Sequence, residues 1–414
     1  MNGRESILNK PYLWLPLLLA LLLSPIPAAP VAAASAPSLQ VAKVGEYGAY
    51  GYAEASYVSP ILTLLGAGEA YPVISSSGNF YQIQYLSGEV LWVSKSSVSI
   101  AQQRKIVLGW QAFGTTDDYI RQAKAAKGVN VVSPRWLELN KTTLVSGSID
   151  ARYVNWAHSA GIKVWVLLGN RFDPVMTDQL INSKEKRAAL VKRITTLLVQ
   201  GKVDGLNVDF ENINIKNKQD YVELIKQLKA SLAPKGMTLS VDVTRENPDP
   251  FWSGSLDRRE LGKAADYVLL MGYEQHWATS DTPGSLGTYP WVKEGLQLLE
   301  NDVPAQKIIL GIPFFNRKWT SNPLTKKVSS TELTMAEVQK LIVTKHLQKK
   351  WDTEAVQSYV EFTEKGVKNQ IWIEDRDSIS YRVRLTKTHS IGGMAGWYIG
   401  QETPDVWASI LTKI

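Results

Sequence analysis

Asp204–Gly205–Leu206–Asn207–Val208–Asp209–Phe210–Glu211–Asn212 alternates apolar and polar residues with a period of two. That is the rhythm of an extended strand, whose successive side chains point to opposite faces. Leu206, Val208 and Phe210 share one face; Asn207, Asp209 and Glu211 share the other. An amide and two carboxylates on a buried face are costly unless they are used, in a reaction, in a hydrogen-bonded network or around a cation with oxygen ligands.

Working outward, the chain from Lys105 repeats a strand-then-helix rhythm. Apolar runs at Ile106–Trp110, Asn130–Ser133, Ile162–Leu168, Leu206–Phe210, Leu239–Val243, Tyr267–Met271, Ile308–Ile312 and Met394–Tyr398 make eight. Between them, Leu190, Val191, Ile194, Leu197 and Leu198 mark one helix face, and Tyr221, Leu224, Ile225, Leu228 and Leu232 mark another. Eight such units predict an α/β fold, a (β/α)8 TIM barrel over residues 104–414. The long interval before the last run predicts an α+β insertion at about residues 320–390, between strands seven and eight. Barrels of this kind carry their chemistry at the C-terminal ends of the strands, which is where Asp209 and Glu211 fall.

Upstream of the barrel, residues 61–103 read as a small all-β domain. Tyr81, Ile83 and Tyr85 alternate with Gln82 and Gln84, and Ser77–Gly78–Asn79 is a turn. Residues 35–60, rich in Ala, Ser, Gly and Tyr, read as a leader into that domain. Residues 1–34 read as a signal peptide: Arg4 and Lys10 give a basic start, Tyr12–Leu23 is apolar, and Ala32 and Ala34 fit a cleavage site before Ser35. The apolar run is shorter than the ~20 residues a membrane span needs, so no span is expected after processing.

The 414 residues are 44% hydrophobic and 21% charged, which excludes a disordered or collagen-like chain. With no cysteine, thiol nucleophiles, iron–sulfur clusters and thiolate zinc sites are excluded as well. His158, His276, His346 and His389 are too scattered for a local metal motif, so neither a metal nor a cofactor is expected. The net charge of +7 suits an exported protein meeting acidic wall polymers, although Lys and Arg on the solvated stretches 183–193 and 345–350 account for much of it. Nothing in the pattern points to nucleic acid.

The spacing D-x-x-N-x-D-x-E, from Asp204, Asn207, Asp209 and Glu211, resembles the D-x-x-D-x-D-x-E signature of glycoside hydrolase family 18, the chitinase-like barrel enzymes. Met271–Gly272–Tyr273–Glu274 resembles the family's strand-six motif, Gly311–Ile312–Pro313–Phe314–Phe315–Asn316–Arg317 its strand-seven motif, and Gly396–Trp397 its strand-eight tryptophan. Asn-Val-Asp-Phe-Glu and Ile371–Trp372–Ile373–Glu374–Asp375 resemble the branch that contains spore-cortex-lytic N-acetylglucosaminidases. Gly88–Glu89–Val90–Leu91–Trp92–Val93 resembles bacterial SH3-like wall-associated modules, implying a cell-wall contact through the small domain.

Asp209 and Glu211 start about 6.6 Å apart on one strand, not on opposite sides of a sugar. The resemblance implies substrate assistance, in which the sugar's own 2-acetamido oxygen attacks its anomeric carbon. Glu211 is then the general acid and later the base, Asp209 orients the acetamide, and Tyr273 donates to its oxygen. Trp397 is a stacking floor, and Asn207, Asp204, Glu274 and Arg317 complete the binding site. Asn207 stands where most chitin-degrading members of the family carry Asp. An amide there can hydrogen-bond Asp209 without repelling it, which predicts that Asp209 stays ionised, and activity persists, into mild acid.

The expected function is hydrolysis of β-1,4 bonds after N-acetylglucosamine in peptidoglycan, outside the cell at a Gram-positive wall, vegetative or spore. A chitinase or chito-oligosaccharide hydrolase and a non-catalytic carbohydrate-binding protein remain as alternatives.

Overall fold

The computed structural model describes residues 38–86 and 89–414. The expected signal peptide, residues 1–34, and Gly88 of the small-domain motif lie outside the described residues. Seven antiparallel strands form the small domain: β1 (Ser38–Val44), β2 (Ala49–Tyr52), β3 (Ile61–Leu65), β4 (Ala70–Ser77), β5 (Phe80–Gln84), β6 (Val90–Ser94) and β7 (Val98–Arg104). They pair in the order β3-β2-β6-β5-β4-β1-β7. Ala42, Val44, Leu65, Tyr71, Ile83, Leu91 and Val93 make its core.

This corrects the reading of residues 35–60 as a leader. From Ser38 that segment supplies two strands, because β1 pairs along its whole length with β7, Ser38 opposite Arg104 and Val44 opposite Val98. The partner lies some sixty residues away in sequence, so local composition gave no sign of it.

Eight parallel strands close the barrel: β8 (Ile106–Gln111), β9 (Val131–Asn140), β11 (Lys163–Gly169), β12 (Gly205–Asp209), β13 (Thr238–Thr244), β14 (Tyr267–Met271), β15 (Ile308–Pro313) and β21 (Gly393–Trp397). They are the eight expected runs. A short hairpin strand, β10 (Leu144–Gly147), extends β9. Outer-face residues such as Leu206, Val208 and Phe210 pack under the helices in one continuous core.

The helices read as the periodicity predicts. In α4 (Lys184–Gln200), Leu190, Val191, Ile194 and Leu198 are buried, and Ser183 caps the N-terminus by accepting from Lys186 N–H. In α5 (Lys218–Leu232), Tyr221, Leu224, Ile225, Leu228 and Leu232 are buried. Truncating any one of these leucines to alanine should cost about 2–5 kcal/mol.

The insertion holds β16 (Phe315–Ser321), β17 (Val328–Thr334), helix α8 (Met335–Thr344), β18 (Lys350–Asp352), β19 (Gln357–Glu364) and β20 (Val367–Ile373), with strand order β17-β16-β20-β19-β18. It therefore starts at Phe315 and ends at Ile373. The helix that follows, α9 (Arg376–Thr388), belongs to the barrel's outer ring and caps itself with Asp375.

The small domain sits on the floor of the barrel, at the N-terminal ends of its strands. Only Lys105 separates β7 from β8, and its buried Nζ donates to the carbonyls of Thr386 (2.7 Å) and Ile391 (2.8 Å). Gln84 Nε2 donates to His389 O (3.0 Å), Gln103 Nε2 to Gln306 O (2.9 Å), and Gln306 Nε2 to Ala70 O. Among the described residues no helix is long and apolar enough to cross a membrane.

Candidate active site

β12 ends on Asp209, and Glu211 follows just beyond the strand at the barrel mouth. With Leu206, Val208 and Phe210 packed outward, Asn207, Asp209 and Glu211 are left to face the interior. Asn170, at the end of β11, grips the main chain of Glu211: its Oδ1 accepts from Glu211 N–H (3.1 Å) and its Nδ2 donates to Glu211 O (2.8 Å). Burial pushes the Glu211 carboxyl well above the usual range, and the neighbouring Asp209 and Glu274 push it further. It therefore keeps its proton to higher pH than an ordinary glutamate does.

Asn207 is fully buried, and its amide is fully committed. Oδ1 accepts from Trp110 Nε1 (2.7 Å) and Ser133 Oγ (3.3 Å), while Nδ2 donates to Asp242 Oδ1 (2.6 Å) and Ser240 Oγ (3.1 Å). The expected bond to Asp209 is therefore absent. The amide is needed because one group has to accept from an indole and donate to a carboxylate at once, which an ionised Asp cannot do.

Asp209 also departs from the expectation that it stays ionised into mild acid. Burial pushes its carboxyl up to about 6, against the pull of Arg135 and with a further push from Glu138. Its Oδ1 is buried without a partner. An amide at position 207 does not keep Asp209 low, because burial is the largest influence on it and Glu138 supplies a like charge. Asp242 itself is pushed well up, by burial first and then by Asp209.

Tyr273, buried after β14, stacks on Trp397 with centroids 6.4 Å apart and planes 16° off parallel. Trp110 meets Trp397 edge-on at 5.7 Å, so three rings form the floor of the site. Burial and the carboxylates of Asp209, Asp242, Glu211 and Glu274 hold the Tyr273 hydroxyl protonated, ready to donate. Glu274 Oε1 accepts from Arg317 Nη2 (2.7 Å), a residue that β16 of the insertion brings in beneath the mouth. The Arg317 guanidinium is buried near the rings of Phe315 (5.5 Å) and Trp319 (5.9 Å).

Asp204, expected with the binding residues, lies at the opposite end. It precedes β12, and its Oδ2 is 2.8 Å from both His158 Nε2 and the main-chain N–H of Val164. Its role is to tie the floor together, five residues below the chemistry, about 16 Å along the strand.

Four site residues escaped the sequence reading: Asp242, Asn170, Arg135 and Glu138. Asp242 had a visible signal, since Leu239, Val241 and Val243 alternate with Ser240, Asp242 and Thr244. Among the described residues no group of three or more His, Asp or Glu side chains is arranged to hold a metal ion.

The family model for glycosyl hydrolases family 18 matches residues 111–402. An uncharacterized glycosylase of Bacillus subtilis, YvbX, is 24% identical over 309 residues, covering 72% of this chain and 88% of that protein. The cortical fragment-lytic enzyme of Bacillus anthracis is 28% identical over 228 residues, covering 52% of this chain and 51% of its own. This chain thus spans about half the length of that relative. The crystal structure of the Bacillus cereus spore cortex-lytic enzyme SleL superposes with a TM-score of 0.69 at 19% identity, over 79% of this chain and 77% of that one. At that identity the likeness shows the fold.

Proposed function

This chain belongs to glycoside hydrolase family 18, and we propose that it hydrolyses the β-1,4 bond after N-acetylglucosamine in peptidoglycan, with retention and with the substrate's acetamide as nucleophile. The observation that carries this reading is the buried Glu211 carboxyl, pushed well upward beside Asp209 and Tyr273, above an aromatic floor.

Glu211 gives its proton to the leaving glycosidic oxygen while the acetamido oxygen attacks the anomeric carbon, so one C–O bond forms as the other breaks. Tyr273 O–H donates to that acetamido oxygen and fixes the angle of attack. Asp209 accepts from the acetamide N–H and stabilises the positive charge of the oxazolinium ring. Glu211, now a carboxylate, takes a proton from water, which opens the ring and restores the acid. The likeness to cortical fragment-lytic enzymes supports peptidoglycan, including that of the spore cortex, as the polymer. The basic charge and the sequence of residues 1–34 support a place outside the cell.

Wild type and Glu211→Gln should be incubated with cortex peptidoglycan and with chitin oligomers, and the new reducing ends identified by mass spectrometry. N-acetylglucosamine ends released from peptidoglycan by wild type alone are expected. Turnover of chitin alone would make the protein a chitinase, and equal binding without cleavage by both forms would make it a lectin.

A further inference from the structure

The carboxylate pair of this site is built across strands, not along one. β11 pairs with β9 on one side and β12 on the other, and Gly169 stands opposite Glu138 in the first pairing and opposite Asp209 in the second. Glu138, Gly169 and Asp209 therefore form one row over three adjacent strands. Neighbouring strands lie ~4.8 Å apart, so Glu138 and Asp209 are roughly 9–10 Å apart at Cα, with no side chain between them. An ideal Cβ on Gly169 would stand 2.7 Å from Glu138 Oε2, so the glutamate already leans over the glycine. Both Glu138 Oε2 and Asp209 Oδ1 are buried without partners, the two unpaired carboxylate oxygens of the row.

A β-bulge puts Glu138 there. Leu167 pairs with Arg135 and Leu168 with Leu137, which leaves Trp136 as the extra residue. Trp136 turns outward against Tyr119 and Tyr153, and Arg135 and Glu138 come to the same inner face. There Arg135 Nε and Nη2 both lie 2.9 Å from Glu138 Oε1, fixing one oxygen and leaving the other free. Bulges commonly re-aim side chains beside active sites in this way.

We infer that Asp209 and Glu138 share one proton across Gly169, carried on Asp209 Oδ1 and accepted by Glu138 Oε2, with Arg135 holding the glutamate in position. Two unpaired carboxylate oxygens brought into one buried row favour a proton on one of them. Asn207, committed to Trp110 and Asp242, takes no part. The other titratable groups around Asp209 are Glu211 beyond its own strand, Asp242 on β13, Tyr273 and Glu274 after β14, and Tyr221 on α5. Burial is the largest influence on Asp209, and Glu138 and Arg135 act on it with opposite signs. On the reading of function above, Asp209 has to release this proton before it can receive the acetamide, which makes Glu138 and Arg135 positioning residues for the reaction.

The test needs no substrate, so its outcome is independent of which glycan the enzyme cleaves. The Asp209 carboxyl is followed by NMR in protein made with carboxyl-labelled aspartate and assigned by its loss in Asp209→Asn. Its titration midpoint should fall by about one pH unit or more in Glu138→Gln and rise in Arg135→Gln. Opposite signs alone follow from the two charges, so the shared proton is read from the size of the fall in Glu138→Gln, which must exceed that in Asp242→Asn. Gly169→Ala, which keeps both charges but drives Glu138 off the row, should act like Glu138→Gln and serves if that variant folds poorly. An unchanged midpoint in Glu138→Gln overturns the inference. So does a larger fall in Asp242→Asn than in Glu138→Gln, which would make Asp242 the partner.

Discussion

The two ends of the barrel treat charge in opposite ways. At the floor, Asp204 has His158 and a main-chain amide, Asp266 has Lys229 and the N–H of Leu239, Glu300 has His389, and buried Lys105 has two carbonyls. At the mouth, Asp209 Oδ1, Glu138 Oε2 and Arg317 Nε are buried with no partner, and four carboxyl groups are pushed upward. Each unsatisfied buried group costs about 1–3 kcal/mol. The floor pairs these charges, although it leaves the neutral Gln306 Oε1 unpaired, so the unpaired charged groups mark the mouth as the end where a ligand completes the bonding.

The sharpest way to break this contrast is at Glu211. Glu211→Gln should lower kcat by about 10³-fold while the protein still melts cooperatively, as a general acid rather than a brace would. A loss of only a few-fold in turnover assays would remove Glu211 from the chemistry.

Next in size is the response to pH. Asp209 must be ionised to receive the acetamide N–H, and its carboxyl is raised to about 6. Hydrolysis should therefore fall as the pH drops through about 6, and fall again on the alkaline side as Glu211 loses its proton. A pH–rate profile flat to pH 4 would contradict the first limb.

Asp242 offers a stability test. Its folded carboxyl is raised well above the value of about 4 it would have unfolded. The folded state thus binds the proton more tightly. The stability this contributes is whole below about pH 4 and is lost as the pH rises through the folded value. Asp242→Asn removes that loss and can still accept from Asn207, so it should melt a few degrees higher than wild type at pH 7, with the gap closing near pH 4. The smallest effect belongs to the floor. Asp204→Asn should leave kcat/KM unchanged and cost about 1 kcal/mol in a thermal melt, because the pair it breaks with His158 is part-exposed.

The same division explains what could be read from the chain alone. Strand rhythm placed all eight barrel strands and put Asp209 and Glu211 on the inner face, because alternation depends only on neighbouring residues. It could not say that Asp204 lies below the strand and belongs to the floor, since spacing carries no end-to-end position. Arg135 and Glu138 were hidden for a deeper reason. Strict alternation sends them to opposite faces, and only the bulge at Trp136, a property of the pairing with β11, brings them together. Residues 38–60 were misjudged likewise, since β1 is defined by a partner strand far along the chain.

A single residue joins β7 to β8. With Lys105 as the only joint, and that joint bonded into the floor, the small domain is no swinging arm on a leash. It is a fixed handle at the far end from the blade. A polymer held there would reach the mouth only after running the height of the barrel, ~20 Å for strands of five to seven residues. Fragments shorter than that span would gain nothing from such a hold, which would favour long, uncut strands alone.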